Sequence, residues 1–416
     1  MMSKKLVHPL LFVTTLLISA AIPLSLTAEQ ASFITFKDVK LHALGNSPLL
    51  RELGLELDKE IAQAMEVESL QDPQLQASMG LPTSDEIGGP EKQIQVSLTQ
   101  PIRLSDFGVR GDVSRLLRIV ASRENKFAIQ NFITKLALAY DTLWRLQIEE
   151  QHLKEQSRWG QKVVRLLSSS ANSGRFSVPQ KKIAQATLAK IKAKLLGLEH
   201  EVSIAQANIT RLTGKSLPHR PLAKIELNEL PGFAFLWNEI EQSDMSVLKR
   251  LSAKQQLHRS QENLAQKDRY LSLQPQVAYS KNEDGDNFLG IGFSMNLPLF
   301  QGNRAERYRS SSQASATNDR LNYLKSHEFR DEFRLFLHGA SAKLQQAKVF
   351  QEEVVPKLKE ALDSSESLFN NGQLTVLELW EAKSDYHEGL DDSTALWSEV
   401  LAMQLEVFVL TGWSYF

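Results

Sequence analysis

Two carboxylates, Glu378 and Glu381, stand three residues apart at and just beyond the end of the stretch "NNGQLTVLEL", Asn370 to Leu379. At that spacing they share one helix face, a placement suited to attracting cations. Nothing else in the chain is arranged for covalent chemistry. The nine histidines are dispersed without ligand spacing, and "HEFRD" at His327 lacks the second histidine of a zinc-protease helix. With no cysteine the chain has no thiolate nucleophile, no disulfide and no lipid attached through an N-terminal Cys. "GIG" at Gly290 falls inside an alternating strand pattern, where small residues suit a lumen lining better than a phosphate loop. Lys and Arg total 48 against 49 Asp and Glu, interspersed rather than gathered, which argues against a nucleic-acid partner. No catalytic, cofactor or metal site is expected.

The element that carries the carboxylates begins at a turn. Gly372 suits the left-handed close of a helix, and Thr375 with Glu378 is the capping box that opens the next. "NSGRFSVPQK", Asn172 to Lys181, repeats the arrangement with Gly174, Ser177 and Gln180, and Pro179 falls in the first turn. Both stretches read as tips of helical hairpins. The tip glycines lie 198 positions apart, and so do the "LTG" triplets ending at Gly214 and Gly412. Upstream, "IQVSLTQPIRL" from Ile94 matches "IGFSMNLPLFQ" from Ile291 at an offset of 197. The chain is therefore read as two copies of one unit, helix, strand, strand, long helix, tip, helix, at 29–222 and 223–416.

In each copy a long helix, about 106–171 and about 303–370, would span roughly 100 Å, while the return helices 178–213 and 376–411 span about half of that. The first return helix carries Leu188, Ile191, Leu195, Leu198, Val202, Ala205, Ile209 and Leu212, a three-four seam that requires a left-handed coiled-coil partner. Pro356 should bend the second long helix. At the start, Lys4 and Lys5 precede an apolar run from Leu10 to Leu26 and the small Ala28, the layout of a signal peptide over 1–28. An N-terminal anchor is the alternative, but the run is short and interrupted by Pro23. No later segment reaches the ~20 apolar residues of a spanning helix.

The strands, about 74–81, 93–101, 276–281 and 288–298, alternate apolar with uncharged polar residues. Leu75 and Met79, then Ile94, Val96 and Leu98, then Leu289, Ile291, Phe293, Met295 and Leu297 make one apolar face. No broad amphipathic helix is left to cover it. Such a face suits membrane lipid, yet four strands cannot close a barrel and open edges are not tolerated in hydrocarbon, so several chains must pool their strands.

These features together resemble the TolC-type outer membrane efflux protein family over essentially the whole mature chain. The resemblance is carried by "P-x-[LV]" at the strand starts Pro73 and Pro275, the strand ends "QPIRL" and "LPLFQG", the "G-x-x-[ST]" tips and the closing "LTG". It implies a mostly α fold with a small transmembrane β portion: a homotrimer whose twelve-stranded β-barrel stands on a long periplasmic α-helical barrel of coiled-coil type. It implies a passive outer membrane exit duct of a tripartite efflux pump or type I secretion system, driven by an inner membrane transporter. A periplasmic adaptor protein would meet the tips at Gly174, Arg175, Ser177, Gly372, Gln373, Leu374 and Thr375. It also implies that Glu378 and Glu381 ring the closed end as a gate. Leu374 stands where some members carry a basic residue, a role Arg175 could fill. From the residues alone Glu378 is equally well a helix cap and Glu381 a solvated side chain. A periplasmic coiled-coil scaffold or binding protein without a pore is the alternative function, and the apolar strand face separates the two.

Overall fold

The computed structural model describes residues 33–80, 93–102, 108–170, 178–218, 220–267, 272–282, 285–296 and 304–414. The expected signal segment and the first hairpin tip, with Gly174, Arg175 and Ser177, lie outside them. The elements in chain order are α1 (Phe36–Asn46), α2 (Pro48–Glu68), β1 (Gln74–Gly80), β2 (Gln93–Thr99), α3 (Val109–Ser170) and α4 (Val178–Thr213), then α5 (Phe233–Gln242), α6 (Val247–Lys267), β3 (Ser272–Asn282), β4 (Asn287–Asn296), α7 (Arg304–Lys325), α8 (His327–Val349), α9 (Val355–Asn370) and α10 (Val376–Thr411).

Each leading helix is split in two. Ser47 caps α2, its hydroxyl accepting from the Leu50 N–H at 3.4 Å, and Pro48 fills the first helical position where no donor is needed. Ser246 does the same before α6, accepting from the Lys249 N–H at 3.3 Å. Opposite each split sits an "LTG" glycine, left-handed at φ +79° for Gly214 and +78° for Gly412. A Cβ on Gly214 would collide with the Asn46 carbonyl oxygen, and one on Gly412 would stand 2.6 Å from Met245 Cβ. The preceding Thr213 and Thr411 are fully buried, and their hydroxyls donate one turn back to the Ile209 and Val407 carbonyls. The two halves thus turn the same tight corner.

α3 runs for 62 residues without a break, about 93 Å at helical rise. The second long helix, expected as one piece over 303–370, is divided. Ser326 ends α7 and caps α8 by accepting from the Phe329 N–H at 3.3 Å, a stop that the otherwise helical composition concealed. Further on, Phe350–Val354 forms a π-helical turn closed by the Val355 N–H on the Phe350 carbonyl. Before Pro356, where a bend is expected, the ladder changes in the preceding turn, which widens the spiral where the proline ring would meet a carbonyl. Lys224 Nζ, donating to Gln351 Oε1 at 2.6 Å, holds the outer side of that turn.

The α4 seam packs on α3 as its spacing requires. Leu188, Ile191, Leu198, Val202, Ala205, Ile209 and Leu212 are buried, and Leu195 is half-buried. The central core gathers Leu136 and Tyr140 of α3, Ile209 of α4 and Leu401 and Leu405 of α10. There the parallel bridge between Ile34 and Leu222 ties the start of the chain to the link between its halves. The Tyr140 hydroxyl lies 2.7 Å from the Ile34 carbonyl and 2.6 Å from that of Ala223, donating to one at a time, and burial pushes its pKa up. α10 is long and apolar enough by composition to cross a membrane, which corrects the expectation that no later segment is; it packs instead in the bundle against α3, α5 and α8.

Candidate functional site: the strand face and the hairpin tip

The four strands form one antiparallel sheet in the order β1-β2-β3-β4. Register places like with like. On one face Leu75, Leu98, Val277 and Ile291 make a row across all four strands, followed by Ala77, Val96, Tyr279 and Leu289. On the other face the rows are Gln76, Ser97, Ala278 and Gly290, then Gln74, Thr99, Gln276 and Gly292. The apolar face is open: Leu75 is 73% exposed, Leu289 75%, Ile291 86% and Phe293 67%, and Met79, Ile94, Val96 and Leu98 are exposed as well. Met295 pairs with Leu273 through its backbone, and Leu297 lies outside the described residues. Each such side chain withdrawn from water would gain about 1.5–3 kcal/mol, so a bare face of this size is a strong demand for a cover. Among the described residues β1 and β4 are unpaired edges.

β3 begins four residues before its expected start, and runs through Pro275. Pro275 stands opposite Gln100, just past the end of β2 at Thr99; the Gln100 N–H donates to the Pro275 carbonyl, and the proline forfeits only the reciprocal bond, at the last position of the ladder.

At the other end, α9 closes in a Schellman motif. The Gln373 N–H reaches the Leu368 carbonyl and the Gly372 N–H the Phe369 carbonyl, both at 2.9 Å, with Gly372 at φ +75°. Thr375 then caps α10. Its Oγ1 accepts from the Glu378 N–H at 3.3 Å, and Glu378 Oε2 accepts from the Thr375 N–H at 2.8 Å and its hydroxyl at 2.7 Å. The Thr375 hydroxyl, then its N–H, hold the Glu378 carboxyl below the usual carboxylate range, so this exposed group carries its charge at neutral pH. Leu374 is half-buried, while Gln373 and Glu381 are exposed.

The pair is part of something longer that the reading from sequence missed. Asp385, Glu388 and Asp392 continue from Glu381 at spacings of four, three and four, all exposed, so five carboxylates line one face of α10. The three-four spacing was available in the sequence. A stripe of charge resembles an ordinary solvated face until the apolar face of the same helix, with Leu379, Leu396 and Val400, is seen to be buried in the bundle.

No family model matches the sequence, and no curated protein matches it. Solved structures do. The CmeC outer membrane channel of Campylobacter jejuni is 14% identical, with 94% of this chain and 90% of that one covered at a TM-score of 0.74. The outer membrane protein VceC of Vibrio cholerae is 17% identical, with 92% and 97% covered at 0.68. The open-state MtrE outer membrane channel of Neisseria gonorrhoeae is 15% identical, with 91% and 88% covered at 0.67. The mostly helical architecture with its small sheet is the one the TolC-type resemblance implied, and over nine-tenths of its length this chain has the fold of these outer membrane channels.

Proposed function

We propose that the chain is an outer membrane exit duct that extends into the periplasm. The observation that carries this reading is the open apolar sheet face with two free edges. Three copies, β4 of each paired to β1 of the next, would close a twelve-stranded barrel, put the apolar rows in outer membrane lipid and turn the Gln, Ser and Gly rows to a lumen. The helices would then form the periplasmic tunnel. The duct performs no reaction; a periplasmic adaptor docks at the tips around Gly372 to Thr375 and Gly174 to Ser177 and opens them. An inner membrane pump or secretion transporter supplies the energy. Glu378 serves as cap and, with Glu381, as a carboxylate ring that draws cations to the narrow end.

The test begins with purification of the mature chain. A detergent-dependent trimer is expected, and a monomer stable without detergent, with no oligomer on crosslinking, overturns the duct in favour of a soluble scaffold. In planar bilayers the trimer should show a small cation-selective conductance. Glu378→Gln with Glu381→Gln should weaken the selectivity, and Gln retains the capping contact. An unchanged preference in the assembled double variant leaves Glu378 a cap and Glu381 a solvated side chain.

A further inference from the structure

The contact between α3 and α10 joins the two halves of the chain all the way toward the tip. Near the tip it is apolar: Trp159 meets Trp380 edge-on at 4.9 Å between ring centroids, and Val163 and Val376 share a buried cluster. About two turns further up it changes character. His387, only 5% exposed, faces His152 with ring centroids 5.2 Å apart, and neither Nδ1 has a hydrogen-bond partner. Asp391 Oδ1 is 3.6 Å from His152 Nδ1, too far for a hydrogen bond. Packing behind the pair is tight, since a Cβ on Gly389 would collide with Leu358 of α9.

The buried His387 ring, its Nδ1 without a hydrogen-bond partner, is favoured in the packed seam while uncharged. The surrounding charges come from every packed element. α10 supplies Lys383 and Asp391, α3 supplies Glu155 and Glu149, and α4 supplies Lys194, which is held by Glu149 at 2.7 Å. From α9, Glu366 pairs with Lys383 at 3.5 Å and Lys359 stands over the Tyr386 ring beside His387. Lys383 is thus partly neutralised; Asp391 stands at ion-pair distance from His152, but neither Nδ1 has a carboxylate within hydrogen-bond distance.

We propose that the His152–His387 contact is an acid-sensitive latch: protonation of His387 loosens the tip half of the α3–α10 seam, and a neutral His387 keeps it packed. Burial first, then the charges of His152 and Lys383, lower the His387 pKa from 6.5 to about 4 in the packed state. The sign follows from linkage. Above 6.5 neither packed nor loosened seam binds the proton; between 6.5 and about 4 only the loosened seam does, so packing weakens as pH falls, and below about 4 the weakening is complete. The latch itself concerns only this chain's packing; its consequence for tip opening rests on the duct reading.

The chain has no cysteine, so cysteines introduced at the exposed Gln161 and Ser384 can carry spin labels across the seam without background. Distances in the assembled, detergent-solubilised protein should lengthen and broaden between about pH 7.5 and about pH 4.5. His387→Phe should abolish the change, and His387→Asn serves if the larger ring disturbs assembly. His152→Phe, which removes a repelling neighbour, should move the midpoint to higher pH. An unchanged parent distribution overturns the latch, as does an acid response that survives both His387 variants. Bilayer conductance separates the two readings: acid-sensitive distances without conductance remove the duct and leave the latch, and the converse removes only the latch.

Discussion

The two long helical stretches occupy corresponding places in a repeated chain, yet α3 is continuous while its counterpart is divided at Ser326 and again at the π turn before Pro356. What the halves share is the corner: a split leading helix, a left-handed glycine against the split, a buried threonine bonded one turn back. The fold is therefore held by its corners and seams, and the ladder between them tolerates interruption where each break is satisfied locally. The break at Ser326 is capped and lets Phe329 and Phe333 turn into the cluster around Trp237. The π turn is held by Lys224 on Gln351.

This comparison can be broken most directly at the corners. Gly214→Val and Gly412→Val each force a β-branched residue into the left-handed region against packed atoms, and each should cost about 3 kcal/mol or more, read as a lower midpoint in thermal melting of the helical circular dichroism signal. A variant tolerated at one corner alone would end their equivalence. Ser326→Ala should cost about 1 kcal/mol through the lost cap. The control Ser122→Ala, on the exposed side of unbroken α3, should stay within about 0.5 kcal/mol. Pro356→Ala should change stability least, by under about 1 kcal/mol, while restoring an amide donor that lets the π turn relax to regular helix. Hydrogen exchange at residues 352–356 reports that change, and a π turn that persists would assign it to the Lys224 contact instead of the proline.

The seam and the caps were legible in sequence because their signals are local. Heptad spacing located the buried face of α4, and Thr375 with Glu378 marked the start of α10 to the residue. The strand alternation gave the apolar face, and the register then aligned it across four strands. Ser326 was concealed because one serine in a charged, helix-forming stretch has no signature until an aromatic cluster draws the chain aside. The extension of β3 through Pro275 depends on where β2 ends, a relation between segments almost two hundred residues apart. His152 and His387 looked dispersed for the same reason, since 235 positions separate them along the chain and one antiparallel seam brings them together.

The row-by-row register of the sheet also sets a length. From the Leu273–Met295 pair to the row of Met79, Ile94, Lys281 and Asn287, where a charge and an amide enter the apolar face, β3 advances eight residues, or about 27 Å along the strand. With the roughly 40° tilt of a closed barrel, the described rows account for about 20 Å of apolar height. A hydrocarbon layer of about 30 Å exceeds that height and mismatch costs free energy for each ångström, so a full match requires the apolar alternation to continue past Met295, as the sequence does at Leu297.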